Sequence, residues 1–339
     1  MRATLLNAPG DISVAEVDDP RIEAPTDAVV RLSLSCVCGS DLHNYRGRRP
    51  FQAPQRIGHE YCGVVAEVGS AVGSVRPGDF VVGPFFSCDN TCANCRAGFQ
   101  SACLNVAMYN GCQAELVRVP NADGTLVKLP EQPDAALLPS ILACSDVLGT
   151  GWHAAKMAGV APGQTVAVIG DGAVGLCGVL AAQQQGAERI IVSSRHEDRA
   201  RLAREFGATE VLAERGEEFA AKVLELTDGI GADAVLECVG TEESFAQACA
   251  SARPGSIVGY VGVPVGVKLD LAPFFRRNIG LRGGMAPVRE YLDELVGLVL
   301  DGSIDPGKVF DLTLPLDDVA EAYRAMDERR AIKVALTLD

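Results

Sequence analysis

The stretch that most constrains this chain is Val168-Ile169-Gly170-Asp171-Gly172-Ala173-Val174-Gly175. An apolar run, Thr165–Ile169, breaks into glycines, and a second apolar run of helical length, Ala173–Gln185, follows. This is G-x-G-x-x-G with a strand before it and a helix after it, the context that gives the pattern meaning. Gly170 allows a tight turn, Gly172 lets a pyrophosphate approach the backbone, and Gly175 lets the helix pack close to the strand. The unpaired N–H groups at the helix start suit phosphate oxygens. A dinucleotide site is therefore expected, with Gly170, Gly172, Ala173, Val174 and Gly175 against the coenzyme.

The rhythm around this turn points to an α/β fold. Strands are predicted at Thr165–Ile169, Ile190–Ser193, Val211–Leu212, Ala234–Cys238 and Ser256–Val261. Helices alternate with them at Ala173–Gln185, Glu197–Phe206, Glu217–Leu226 and Glu242–Ala252. That alternation predicts a doubly wound parallel sheet with right-handed crossovers, a Rossmann arrangement. Residues 1–147 read instead as β-rich, with short strands at Val29–Ser35, Tyr61–Val68 and Asp79–Val82. A helical region starts at Ala135 and runs on towards Met157. Helices at Glu290–Leu300 and Val319–Glu328 and a strand at Lys333–Leu338 close the chain.

Composition removes several classes of function. With 339 residues, 48% of them hydrophobic, the chain is long and apolar enough for about two well-buried domains. A net charge of −14 disfavours nucleic acid or an anionic membrane as partner. Met1–Ile12 has no apolar core of a secretory signal, and no run reaches the roughly 18 apolar residues of a membrane span, so a cytoplasmic protein is expected. In that setting twelve cysteines, several of them clustered, speak for metal ligation and buried thiols rather than disulfides.

Two short motifs carry candidate metal ligands: Cys38-Gly39-Ser40-Asp41-Leu42-His43 and Gly58-His59-Glu60. Thiolate, imidazole and carboxylate are the ligand types of catalytic zinc. Each residue taken alone has a plainer reading, as a buried thiol, a core histidine or a surface carboxylate. Glycines after Cys38 and before His59 would let the ligand-bearing loops turn sharply. Together with the cysteine cluster near residue 90, Thr150-Gly151 and the glycine fingerprint, these motifs resemble the zinc-dependent medium-chain alcohol dehydrogenase family, in the family's order and over essentially the full length.

The resemblance implies that the Rossmann domain, residues 148–286, is inserted into a β-rich GroES-like catalytic domain formed by 1–147 and 287–339. It implies a catalytic zinc held by Cys38, His59 and a third ligand just before the nucleotide domain, with Glu60 as an exchangeable fourth. Counting back four from Thr150 gives Asp146 for the third, with Cys144 two residues out of register. It implies that Ser40 takes a proton from the alcohol and passes it through the coenzyme ribose to His43. Ser40 could also be an ordinary helix cap, and both readings can hold together, since capping leaves the hydroxyl in the site. Thr150, Val261 and Val263 are expected to flank the nicotinamide. Homodimers or homotetramers are expected.

Cys88, Cys92, Cys95 and Cys103 point to a structural zinc. The family spacing is C-x2-C-x2-C-x7-C. Cys92, Cys95 and Cys103 fit it, but Asp89 holds the place of the first cysteine and Cys88 lies one residue too early. Register favours Asp89 and ligand chemistry favours Cys88. Asp89 is the preferred reading, with Cys88 as the alternative.

For the coenzyme, the end of the second nucleotide-domain strand normally carries an acid that binds the ribose hydroxyls of NAD. That place falls at Ser194, followed by Arg195 and His196. A missing acid and an adjacent cation favour NADP, with NAD as the alternative. The expected function is hydride transfer between NADP(H) and a small alcohol or carbonyl, a hydrophobic secondary alcohol or ketone. Phe51, Phe85, Phe86, Met108, Tyr109, Trp152 and Met285 are candidates for an apolar pocket. The alternatives are a polyol or sugar dehydrogenase with the same zinc chemistry, a zinc-free enone reductase and a non-catalytic nucleotide sensor.

Overall fold

A computed structural model describes residues 1–338. The chain divides into two compact units. One is Met1–Asp146 with the segment from Pro287 on, and the other is Val147–Ala286.

The first unit begins with β1 (Arg2–Ala8), β2 (Asp11–Glu16), β3 (Ala28–Val37), β4 (Gln55–Arg56), β5 (Tyr61–Val68) and β6 (Phe80–Gly83). Short strands β7 (Phe86–Ser87), β8 (Ala107–Met108), β9 (Leu116–Val119) and β10 (Val127–Lys128) follow. Helices here are brief: α1 (Asp41–Tyr45), α2 (Ala93–Arg96), α3 (Ala122–Thr125) and α4 (Leu138–Cys144). The second unit contains α5 (Val147–Ala158), β11 (Thr165–Ile169), α6 (Ala173–Gln184), β12 (Arg189–Ser193), α7 (Glu197–Glu205), β13 (Glu210–Leu212), α8 (Gly216–Leu226), β14 (Ala232–Glu237), α9 (Glu242–Ser251), β15 (Ala252–Tyr260), α10 (Ala272–Arg277) and β16 (Gly280–Gly283). The chain then returns to the first unit with α11 (Val288–Leu300), β17 (Phe310–Pro315), α12 (Val319–Asp327) and β18 (Lys333–Thr337).

In the first unit the main sheet runs β10-β6-β5-β3-β18-β17, with β9 paired to the first half of β3. β3 is central and, apart from Arg31, has no exposed residue, which is why it reads as an almost continuous apolar run. Its neighbours β5 and β18 run antiparallel to it. The end of β3 and the starts of β5 and β18 therefore meet at one edge of the sheet. Cys38 follows β3, His59 and Glu60 precede β5, and Lys333 opens β18.

The second unit is a parallel sheet of order β13-β12-β11-β14-β15-β16. Its order reverses between β11 and β14, the place where doubly wound sheets bind ligands beyond their carboxyl ends. Ala167, Ile169, Ile191, Val235 and Val258 from the strands pack with Phe219 and Val223 of α8 and with Phe274 of α10. Gly151 of α5 faces Gly178 of α6 so closely that a Cβ would lie 2.5 Å from the Gly178 nitrogen.

The expected alternation holds here to within four residues at every end. The region from Ala135 towards Met157 is not one helix: it breaks after Cys144, leaving Ser145 and Asp146 between α4 and α5. Among the described residues no single helix is long and apolar enough to cross a membrane.

Candidate active site

Cys38, His59, Glu60 and Asp146 place one ligand atom each within 4.8 Å of one another. His59 Nε2 is 3.3 Å from Asp146 Oδ2, and Cys38 Sγ is 3.6 Å from the same oxygen. Tetrahedral zinc with the usual bond lengths would put an N···O edge at about 3.4 Å and an S···O edge at about 3.6 Å. The donor set and its spacing thus fit zinc. Asp146 reaches the cluster because the chain breaks between α4 and α5. Cys144 does not join it: its thiol turns back to the Ser140 carbonyl, 3.3 Å away inside α4.

Electrostatics ask for a cation at this place. Burial opposes charge on His59, but Asp41, Cys38 and Asp146 together raise its pKa well above the ordinary imidazole value. Burial raises Cys38 as well. A divalent ion would offset the crowding of Cys38, Glu60 and Asp146 at this point.

The support around the ligands is precise. Asp41 Oδ1 sits 3.3 Å from His59 Nδ1, which fixes the tautomer that leaves Nε2 to ligate. Asp41 Oδ2 accepts the Cys38 backbone N–H at 3.0 Å and the Gln113 amide at 3.2 Å, so one carboxylate braces both candidate ligands, Cys38 and His59. Gly58 has φ +96, and a Cβ there would lie 2.5 Å from Gln113 Cγ, so the turn before His59 requires glycine. Gly39 has no such requirement: its φ is ordinary and nothing lies within 4 Å of a built Cβ.

Lys333 donates to Glu60 Oε1 at 2.7 Å, and each side chain is 1% exposed. Glu60 Oε2 is buried without a hydrogen-bond partner, one donor short of a satisfied carboxylate. Sequence reasoning missed Lys333, although a lone lysine inside the apolar run Ala331–Leu336 was a signal. It also missed the brace of Asp41 and Gln113.

Ser40 precedes α1 but makes no side-chain cap; its Oγ lies 3.5 Å from His59 Nε2. The expected cap is therefore not made, and the hydroxyl faces the cluster instead. His43 Nδ1 is buried and unpartnered, and burial, then Arg49, Arg48 and Arg46, lower its pKa. Phe85 meets His59 edge-on at 6.2 Å. Phe86 is wholly buried and Tyr109 packs against Tyr61 in the core, whereas Met108 is 52% exposed.

The second cluster gathers Asp89, Cys92, Cys95 and Cys103 within 4.8 Å. Cys92 Sγ is 3.5 Å from Cys95 Sγ and 3.9 Å from Cys103 Sγ, bracketing the roughly 3.8 Å edge of a thiolate tetrahedron on zinc. Backbone N–H groups of Thr91 and Cys92, with the Asn105 amide, hold the Asp89 carboxyl well below its usual range. Backbone N–H groups of Leu104 and Cys95 bring the Cys92 thiol down to about 7. Cys88 is turned away, its thiol 3.4 Å from the Gly124 carbonyl, and burial pushes it up to about 12. Asp89→Ala should therefore empty the zinc of this lobe while Cys88→Ala keeps it; metal analysis of the two purified variants checks this.

The coenzyme candidates lie in the second unit. The register of the parallel strands places Ile169, Ser193, Glu237 and Tyr260 at one edge of the sheet. Gly170–Gly175, Ser194–His196 and Val261–Val263 follow those strands. Gly170 has φ +113, a Cβ on Gly175 would lie 2.0 Å from the Gly170 carbonyl oxygen, and Gly172 faces open space. The start of α6 has no side-chain cap, so its N–H groups are left for an anion. A pyrophosphate fits this cradle. Ser194 is buried and donates to Asp171 Oδ2 at 2.9 Å, while Arg195 is exposed and His196 partly so. Thr150 is buried on α5.

A dinucleotide-type parallel sheet in one unit and a thiolate–imidazole–carboxylate cluster in the other define a zinc-type dehydrogenase. Comparison with known proteins agrees. The zinc-binding dehydrogenase family model matches residues 173–301, and the alcohol dehydrogenase GroES-like domain model matches 24–131. A probable zinc-binding alcohol dehydrogenase of Mycobacterium tuberculosis is 36% identical over 336 residues, covering 95% of this chain and 84% of the relative. The NADP-dependent isopropanol dehydrogenase of Clostridium beijerinckii is 30% identical over 318 residues, covering 89% and 90%. The solved structure of an alcohol dehydrogenase from Thermus sp. ATN1 has a TM-score of 0.92 at 34% identity, over 100% of both chains. The chain belongs to the zinc-dependent medium-chain alcohol dehydrogenase family, a group of zinc-dependent oxidoreductases.

Proposed function

We propose that this chain interconverts a hydrophobic secondary alcohol and its ketone by hydride transfer with NADP(H). The observation that carries the reading is the convergence of Cys38, His59, Glu60 and Asp146 on one buried point with zinc-compatible spacing. A zinc ion held by these residues would supply a Lewis acid, and a bound nicotinamide coenzyme would supply the hydride chemistry. The remaining work falls to the chain's own side chains. Asp41 keeps the His59 proton on Nδ1 and so presents Nε2 as a ligand. Ser40 Oγ, at the edge of the cluster, accepts the hydroxyl proton during alcohol oxidation as it passes its own proton on, and the relay runs in reverse during ketone reduction. His43, whose pKa is lowered by burial and three arginines, is the next group of the relay, receiving the proton through the coenzyme ribose and passing it on to solvent. Phe85 beside His59 supports an apolar substrate.

The NADP reading is supported by Ser194 where an acid would select NAD, and by the exposed Arg195 beside it. The name of the Clostridium relative pairs the same coenzyme with a small secondary alcohol. Loss of a charge-assisted hydrogen bond costs about 1.5–3 kcal/mol, so Arg195→Ala should weaken NADPH by roughly 10- to 100-fold and leave NADH nearly unchanged. Equal effects on both coenzymes would remove Arg195 from the 2′-phosphate. A carbonyl panel on the zinc-analysed enzyme tests the substrate: faster turnover of sugars and polyols than of simple ketones would contradict the proposal.

A further inference from the structure

The glycine turn carries an aspartate between its first two glycines, and nothing in the coenzyme reading gives that side chain a task. Asp171 is 3% exposed. Its Oδ2 accepts the Ser194 hydroxyl at 2.9 Å. Its backbone carbonyl accepts Arg199 Nη1 at 3.1 Å, and the same nitrogen lies 3.8 Å from Oδ1. One residue of the turn after β11 thus grips the turn after β12 at both ends, at Ser194 where the strand stops and at Arg199 in the first turns of α7. Both gripped residues are buried. Between them Arg195, Glu197 and Asp198 are exposed and His196 is partly so.

Two consequences follow from the chemistry. A carboxylate this buried is costly unless paired and hydrogen-bonded, and Ser194 and Arg199 meet that need. Ser194 has a single hydroxyl proton, and the carboxylate at 2.9 Å is a stronger acceptor than the His196 carbonyl at 3.3 Å. Ser194 therefore has no proton to offer a phosphate, which leaves Arg195 and His196 as the donors of this loop.

We propose that Asp171 is a positioning residue for coenzyme choice: by holding Ser194 and Arg199 it shapes the loop between them so that Arg195 and His196 meet the adenosine 2′ position. Discrimination between NADPH and NADH then depends on a residue that touches neither the 2′-phosphate nor the reacting atoms. The inference rests on the NADP reading above and deepens it.

The test is fluorescence titration of NADPH and NADH against the full chain and its variants, which reads binding without turnover. Asp171→Ala should weaken NADPH by about tenfold or more while NADH changes by less than about threefold. Asp171→Asn, which keeps an oxygen acceptor for Ser194, should recover most of the loss. An unchanged NADPH-to-NADH ratio in Asp171→Ala overturns the proposal. Equal loss of both coenzymes also overturns it, because the effect would then lie in the glycine turn that both share. Should Asp171→Ala fail to fold, Ser194→Ala decides: it removes one tether and leaves the glycine turn intact, and an unchanged ratio sinks the idea. Arg195→Ala separates the two readings. Selective NADPH loss there with an unaltered ratio in Asp171→Ala leaves the NADP reading standing and the positioning role refuted. The opposite pattern removes Arg195 from the coenzyme reading and keeps Asp171 as a determinant of choice.

Discussion

Serine in place of Cys38, or alanine in place of His59, should lower kcat/KM by roughly 10³-fold or more. A Lewis acid contributes several kcal/mol of transition-state stabilisation, and each 1.4 kcal/mol or so is a factor of ten. Both side chains belong to the four-residue cluster, whereas the glycine turn belongs to the other unit. Coenzyme affinity should therefore hold within about twofold. Metal content, coenzyme titration and steady-state rates on the same preparations read all three effects. Asp41→Asn should fall between wild type and these variants, with roughly 10- to 100-fold loss in zinc affinity or activity, because it disturbs the orientation of His59 and the Cys38 loop without removing a ligand. Full activity in the zinc-poor Cys38→Ser enzyme would break the ligand assignment. Lost coenzyme binding in His59→Ala would show damage spreading beyond the cluster.

The nucleotide-binding half was legible because its signals are local. Strand runs, helical runs and glycines alternate within a few residues, and the boundaries shift little in the structure. Counting from a fixed motif points to Asp146 and Asp89, and both lie in the two clusters while the thiols of Cys144 and Cys88 point to backbone carbonyls. What stayed hidden is what topology assembles. Glu60 and Lys333 are 273 residues apart, and Gln113 and Tyr323 are 210 apart, yet each pair is hydrogen-bonded in the core. No periodicity encodes such partners. They follow from β18 returning beside β3, and from α12 packing in the same core as the strands. Asp171 stayed hidden for a different reason: the motif assigns meaning to its glycines and treats the residue between them as free. The strand Phe310–Pro315 shows the opposite case, a local signal, with Phe310, Leu312 and Leu314 alternating inward.

Replacing Lys333 by methionine should strongly destabilise the fold of the first unit. The lysine and Glu60 are each 1% exposed, and the ammonium also contacts the Val37 carbonyl at 3.3 Å and lies 5.6 Å over the Phe310 ring. Burial opposes its charge, yet the neighbouring Cys36 thiol and Glu60 carboxylate raise its pKa well above the ordinary lysine value, so it stays protonated. Removing one partner of a buried pair strands the other charge and costs about 3–5 kcal/mol. The double variant Lys333→Met with Glu60→Gln removes both charges and should be less destabilised than Lys333→Met alone, the signature of coupling in a mutant cycle. A zinc ion at the cluster would partly replace the missing positive charge beside Glu60. The cost of Lys333→Met should therefore be larger in chelator-stripped protein than in zinc-loaded protein. Urea unfolding of wild type, both single variants and the double variant, with wild type and Lys333→Met measured both zinc-loaded and chelator-stripped, reads each comparison. Single and double variants of equal stability would mean that Glu60 finds water or another donor, and that the pair orders the strand edge without stabilising it.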